Sequence, residues 1–299
     1  RMKKDNSYLW GMVFLALAQI LVSINIVASK QIVHDMPLFL LLIIRFLLAA
    51  MLILPLHYAT PARQFSIIHH FSKLSKKDVF FLIAQGLSAG ALFNCFMLAG
   101  LHFTDANIAG IITSTLPAII ALLSWLILKE RLAGKTLACI VLATFGLVLI
   151  AVEKLHGSHQ SHSFLGDFLV LLALFPEAAY YVLCKIHAPK LPVFLASSFM
   201  NVMNTLVLTP YFLWHSPNVV ITTHDWLILV FLGINTALFY VFWYFGSQRI
   251  EGVVASLSTA IMPVATVLFA WLFLNEALTS IECLGMFMVL ASIVINARR

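Results

Sequence analysis

The chain has 299 residues, of which 62% are hydrophobic and 10% charged, with a formal net charge of +6 and a mean hydropathy of +1.00. Soluble globular proteins carry about a quarter charged residues, so this composition excludes one and places most of the chain in a bilayer. The basic residues are spread over separate loops and tails, which gives no reason to expect a nucleic-acid partner.

A span needs roughly 17 to 25 mainly apolar residues. Ten stretches qualify: 9–30, 37–57, 79–101, 107–128, 135–152, 166–184, 192–214, 226–247, 252–274 and 280–297. They are continuous apolar runs without period-two alternation, which excludes a barrel and predicts an all-α membrane protein with ten transmembrane helices. The first run lacks a small-residue cleavage site and is expected to stay as a span. With the N-terminus cytoplasmic, 15 of the 18 Lys and Arg residues fall on the inner side, so both termini are expected in the cytoplasm.

Span one ends in NIVASK, residues 25–30. Asn25 is a candidate for substrate contact or for a helix–helix hydrogen bond. Lys30 either snorkels to the outer interface or guides an anionic group into the outer mouth. Span two carries Arg45 about mid-membrane, a candidate coupling or structural charge, either bonded to carbonyls or paired with a carboxylate. Asn94 in span three has the same two readings as Asn25.

Span four contains Thr113 and Pro117. A proline frees the carbonyl four residues earlier, so a bend is expected there, serving as a hinge or as a static kink. Glu130 at the end of this span is expected to accept hydrogen bonds from the free amides of the next helix. The loop LHGSHQSHSF spaces His156, His159 and His162 three apart, but no Cys or carboxylate completes a metal set, and a solvated loop is expected. Cys95, Cys139, Cys184 and Cys283 lack metal spacing and are expected to be small buried hydrophobes.

Span six contains LFPEAAYY, residues 174–181. Glu177 lies more than about 10 Å from either end of its helix at 1.5 Å per residue. A charge there costs about 2.5–3.5 kcal/mol, so it is expected to face the bundle interior. Tyr180 and Tyr181, at i+3 and i+4, share its face, and Pro176 is expected to disturb the helix beside it. Glu177 has three open roles: binding a substrate amine with cation–π help from the tyrosines, carrying a proton, or pairing with Arg45. Span eight contains LFYVFWYF, residues 238–245, where Tyr240, Trp243 and Tyr244 form a patch suited to packing or to the cavity. Span nine repeats the hinge pattern with Thr259 and Pro263 and ends near Glu276, which like Glu130 is expected to accept hydrogen bonds from the free amides of the next helix.

Residues 100–132 align without a gap to 246–278 at an offset of 146, with ten identities that pair Thr113 with Thr259, Pro117 with Pro263, Trp125 with Trp271 and Glu130 with Glu276. Upstream, an offset of 155 pairs Gly11 with Gly166, Lys30 with Lys185, Pro37 with Pro192 and Pro55 with Pro210. Two five-helix repeats, 8–153 and 164–297, are therefore expected. An odd number of spans inverts the second copy, which is the arrangement of alternating-access transporters. Glu177 aligns with Val22 and Tyr240 with Asn94, so the carboxylate occurs in one half alone.

NIVASK, the arginine of IIRFLLAA (43–50), and the two prolines followed by LKERL (128–132) and LNEAL (274–278) resemble the EamA family of the drug/metabolite transporter superfamily. The resemblance covers nearly the whole chain. It implies a cavity lined mainly by helices 1, 3, 4, 6, 8 and 9 and transport of small metabolites such as amino acids. An arginine on helix 2 would then lie outside the cavity ring. Glu177 and Pro176 depart from the family, many of whose members carry an apolar side chain or tryptophan at the Glu177 position.

The expected function is a secondary transporter, an exporter of small amine-bearing metabolites such as amino acids or derivatives, in the inner (plasma) membrane. The alternatives are a carrier or flippase of lipid-linked or sugar substrates, and an uptake carrier for a cationic metabolite. No HExxH, GxGD or serine–histidine arrangement lies within the spans, so no catalytic residue, metal or cofactor is expected. Protons are a candidate coupling ion, and a monomer or homodimer is expected.

Overall fold

The computed structural model describes residues 2–113, 115–129, 131, 133–156, 163–215, 218–249 and 258–297. Glu130 and the loop histidines His159 and His162 lie outside the described residues. Among the described residues there is no strand. The helices are α1 (Met2–Ile32), α2 (Leu38–His57), α3 (Ile67–Ser72), α4 (Lys76–Leu87), α5 (Phe93–Leu101), α6 (Ala106–Thr113), α7 (Leu116–Leu128), α8 (Gly134–His156), α9 (Phe164–Ile186), α10 (Val193–His215), α11 (Thr223–Ser247), α12 (Ile261–Leu274) and α13 (Ser280–Ala297). A π turn at Ser88–Leu92 joins α4 to α5, so Lys76–Leu101 runs as one long segment.

Six of these segments are long and apolar enough to cross a membrane: Asn6–Ile32, Leu38–His57, Lys76–Leu101, Phe164–Ile186, Val193–His215 and Thr223–Gly246. Four shorter apolar helices accompany them, Leu116–Leu128, Gly134–Ile150, Ile261–Leu274 and Ser280–Ser292. The burial pattern inverts that of a soluble protein. Phe145, Leu206, Leu227, Leu272 and Phe287 are exposed on the outside of the bundle, whereas Gln19, Asn94, Asn201, Asn204 and Thr259 are buried inside it. Lipid supplies no hydrogen bonds, so polar side chains turn inward to find partners.

α1 lies along α11 and against α12, and α9 lies along α5 and against α7. α2 packs on α10, α6 on α12 and α8 on α13. The α8–α13 contact is a close backbone approach: a Cβ on Gly146 would lie 2.7 Å from the Gly285 carbonyl oxygen, so a side chain there would push the helices apart.

The structure differs from the sequence expectations at several points. In the fourth span α6 ends at Thr113 and α7 begins at Leu116, with Pro117 in its first turn, where the missing N–H costs nothing. α12 likewise begins just before Pro263. α9, by contrast, continues through Pro176. Cys139 is buried and Cys95 and Cys184 partly so, but Cys283 lies exposed on the outside of α13.

Glu276 serves a helix distant in sequence. Its Oε1 accepts the Ala106 N–H at 3.2 Å and so caps α6, in the other half of the chain. Nearby, the Lys30 ammonium donates to the carbonyls of Leu101 at 2.6 Å and Thr104 at 2.7 Å, tying the end of α1 to the α5–α6 connection. Removing a helix cap costs about 0.5–2 kcal/mol. Glu276→Ala is therefore expected to lower the melting temperature of the purified protein by several degrees, and Glu276→Gln by less. Equal melting of Glu276→Ala and the parent would show that the contact contributes nothing.

At another connection, Ser75 and Asp78 form a capping box at the start of α4. Asp78 Oδ1 also accepts from His187 Nε2 at 2.5 Å and lies 3.2 Å from Lys190 Nζ, while Gln85 Nε2 donates to the His187 carbonyl at 2.8 Å. This knot fixes the start of α4 to the α9–α10 connection.

Candidate functional site

A cavity of about 150 Å³ lies among α1, α2, α4–α5, α9, α10 and α11. A volume of that order holds a compact molecule about the size of benzene. Among the described residues, α7 and α12 contribute nothing to the wall, where the resemblance implied helices 4 and 9. They are occupied elsewhere: α12 packs on α6 and α1, and α7 on α9. α2 and α10 take their place. Arg45, expected outside the ring, thus lines the cavity.

Of the residues singled out in sequence, Glu177, Tyr180, Tyr181, Asn25, Asn94, Tyr240, Trp243 and Arg45 all line this one cavity. Glu177 reaches it from α9, and among the described residues it has no ion-pair partner; in particular it does not pair with Arg45. Aromatic rings surround it. Tyr180 and Tyr181 meet edge-on at 5.4 Å, Tyr181 meets Trp243 at 6.3 Å, and Phe239 stacks on Trp243 at 5.9 Å. The negative faces of such rings attract cations.

Arg45 Nη2 donates to Asn94 Oδ1, and Asn94 Nδ2 donates in turn to the Gly90 carbonyl at 2.8 Å. Asn25 Nδ2 donates to Thr236 Oγ1 at 3.2 Å, and among the described residues Asn25 Oδ1 and Ser29 Oγ are buried without a partner at the cavity wall. Buried polar atoms are ordinarily satisfied, so these two are free to serve a guest. The wall therefore offers one carboxylate, one guanidinium, several amides and a set of aromatic faces.

Two candidates fall elsewhere. Tyr244 packs its ring on Phe194 at 5.3 Å, and Lys30 is held by the carbonyls described above, away from the wall. The hinge residues Thr113, Pro117, Thr259 and Pro263 lie at the breaks of α6–α7 and α12, also outside the lining. Asn201 and Asn204 on α10 line the cavity and were not singled out in sequence. Their signal was available: two asparagines three residues apart inside an apolar span carry the same desolvation argument as Glu177.

Beyond the cavity, His34 and His102 place their ring centroids 4.2 Å apart at the connections after α1 and α5. Asp35, His224 and Asp225 bring ligand-type atoms within 4.8 Å of one another, two of the three being exposed. Desolvation, with His102 and Lys30 close by, lowers the His34 pKa, and Asp35 only partly opposes this. A histidine whose pKa is lowered on folding contributes stability above its unfolded value of about 6.5, lost as the pH falls from there through the lower folded value. Melting temperature is therefore expected to fall between pH 7 and pH 5, less steeply in His34→Gln. An unchanged slope in that variant would remove His34 from the account.

The all-helical bundle, its apolar exterior and a mainly apolar cavity that carries a few charged and amide groups are the features of a multi-pass membrane transporter. The profile of the EamA-like transporter family matches residues 9–152 and 164–298, and the chain belongs to that family. Over 290 residues it is 30% identical to the uncharacterized transporter YetK of Bacillus subtilis strain 168, covering 95% of this chain and 86% of that protein. It is 25% identical to a probable amino-acid metabolite efflux pump of Escherichia coli strain K12, covering 94% and 93% of the two chains. A solved crystal structure shares the fold with a TM-score of 0.71 at 18% identity, over 98% of this chain and 96% of that one.

Proposed function

We propose that the protein exports small amine-bearing metabolites, amino acids or derivatives, by alternating access around this cavity in the plasma membrane, with both termini cytoplasmic. The observation that carries the proposal is Glu177: a carboxylate on the cavity wall, without an ion-pair partner among the described residues and bordered by Tyr180, Tyr181 and Trp243. A cationic amine satisfies both the carboxylate and the ring faces. The probable amino-acid metabolite efflux pumps among the relatives, from Escherichia coli and Salmonella typhimurium, point to the same substrate class.

Ten spans in two inverted repeats, 8–153 and 164–297, supply the mechanism. Two matches to one family profile support the duplication, and so does the lining itself. The offset of 155 pairs six wall residues of α1 and α2 with six of α9 and α10, among them Val22 with Glu177 and Arg45 with Met200. The offset of 146 pairs four of the π turn and α5 with four of α11, among them Asn94 with Tyr240 and Met97 with Trp243. The packing follows the same exchange, α1 on α11 answering α9 on α5 and α1 on α12 answering α9 on α7. Both charges of the wall break the symmetry, as substrate-specific residues do when the scaffold alone is duplicated.

The test is a thermal-shift screen of purified protein against amino acids, polyamines, quaternary amines, sugars and lipid-linked sugars, followed by counterflow in proteoliposomes. Amines are expected to stabilise the protein and to exchange. Stabilisation by a sugar or lipid-linked sugar, with amines inert, would select the flippase or sugar-carrier alternative instead.

A further inference from the structure

The π turn between α4 and α5 is held open by a side chain from another helix. Within it Phe93 N–H reaches back five residues to the Ser88 carbonyl. The corresponding bond from Ala91 N–H to the Gly86 carbonyl is replaced by the Asn204 amide of α10. Asn204 Oδ1 accepts the Ala91 N–H at 3.0 Å, and its Nδ2 donates to the Gly86 carbonyl at 3.1 Å. Asn204 is 2% exposed, so both bonds are buried and their loss would leave polar groups unpaired. Glycine at 90 is obligatory for this, because a Cβ there would fall on the Asn204 amide.

The consequence reaches the cavity. A π turn carries one residue more than an α turn, and one residue is about 100° of helix rotation. Closing the turn to α geometry, with α4 fixed, would bring Phe93 to the face that Asn94 now occupies and carry Asn94 away from Arg45. We propose that Asn204 is a positioning residue: plugged into the π turn, it sets the rotation of α5 that presents Asn94 and Arg45 to the substrate. The role of the cavity as the substrate site rests on the functional proposal above; the coupling of Asn204 to the rotation of α5 does not.

Cys95 adjoins Asn94 and reports that rotation. In a chain carrying Cys139→Ala, Cys184→Ala and Cys283→Ala, the remaining thiol is labelled with N-ethylmaleimide, a readout that needs no substrate. Asn204→Ala and Gly90→Ala are each expected to change the labelling rate of Cys95 severalfold and in the same direction. Asn204→Asp, which keeps the acceptor for Ala91 and loses the donor to Gly86, is expected to fall between these and the parent. Ser198→Ala serves as the control: it removes another buried α10 hydrogen bond, to the Ala50 carbonyl, and is expected to leave Cys95 unchanged.

Unchanged labelling in folded Asn204→Ala, or an equal change in Ser198→Ala, overturns the proposal. If Asn204→Ala fails to fold, Asn204→Asp and Gly90→Ala decide it, and parental labelling in both overturns it. Because no ligand enters the assay, its failure leaves the transport proposal standing, and a failed ligand screen leaves the plug standing.

Discussion

Glu177→Gln is expected to reduce counterflow of a cationic substrate by about ten- to a hundredfold, since a hydrogen bond to a charged group contributes about 1.5–3 kcal/mol. The protein itself gains from the change. A mid-membrane carboxylate costs about 2.5–3.5 kcal/mol on insertion scales, and glutamine keeps the shape without the charge, so the melting temperature is expected to rise. The same variant separates the roles of the carboxylate. If Glu177 carries protons, uphill transport driven by a pH gradient fails while substrate exchange continues. If it binds the amine, both fail together. Parental flux in both assays would exclude Glu177 from either role.

Arg45→Met gives the second large effect, and its two readouts are expected to move in opposite directions. Arg45 is buried, and among the described residues its partners are the neutral Asn94 side chain and the ring of Phe46, 5.5 Å from the guanidinium carbon. Burying a charge costs several kcal/mol, and one hydrogen bond to a neutral group returns about 1.5–3 of it. Methionine, the residue its repeat counterpart Met200 already carries, removes the burial cost, and the melting temperature is expected to rise by a few degrees. Transport is expected to fall by about tenfold or more, because a charge retained at a cost inside a membrane bundle is kept for function. A lower melting temperature with transport intact would make Arg45 a scaffold residue.

Much of this was legible in sequence, for one reason: a bilayer makes each polar residue informative. Glu177, Tyr180, Tyr181, Asn25, Asn94, Tyr240 and Trp243 could be singled out from hydropathy and helical spacing, and they line one cavity. Other features depend on three-dimensional partners. That Arg45 meets Asn94 and not Glu177 follows from the packing of α2 and α5, which spacing along one helix cannot report. Glu276 caps α6, 170 residues away, although its position suggested the helix that follows it. Among the described residues the wall falls to α2 and α10, while α7 and α12 pack on other helices. The Asn204 plug was the least legible, since the sequence shows a glycine pair and an asparagine in separate spans and nothing that ties them together.

The knot of Asp78, His187 and Lys190 bears on how the molecule divides its time. At the α4 start a carboxylate meets two basic side chains. Asp225, which holds the same capping-box place at the start of α11, meets the Asp35 carboxylate instead, with His224 beside them; Asp35 is the residue that the 155 offset aligns with Lys190. The two ends of the bundle are thus tied differently: opposite charges meet at one, and at the other Asp225 is hydrogen-bonded to Asp35 and lies beside His224. Under the alternating access proposed above, unequal ties at the two ends are unequal weights on a balance, and the two facing states are expected to be unequally populated. Salt screens the ion pairs of the Asp78 end, so higher ionic strength is expected to weaken that tie and shift the balance between the states.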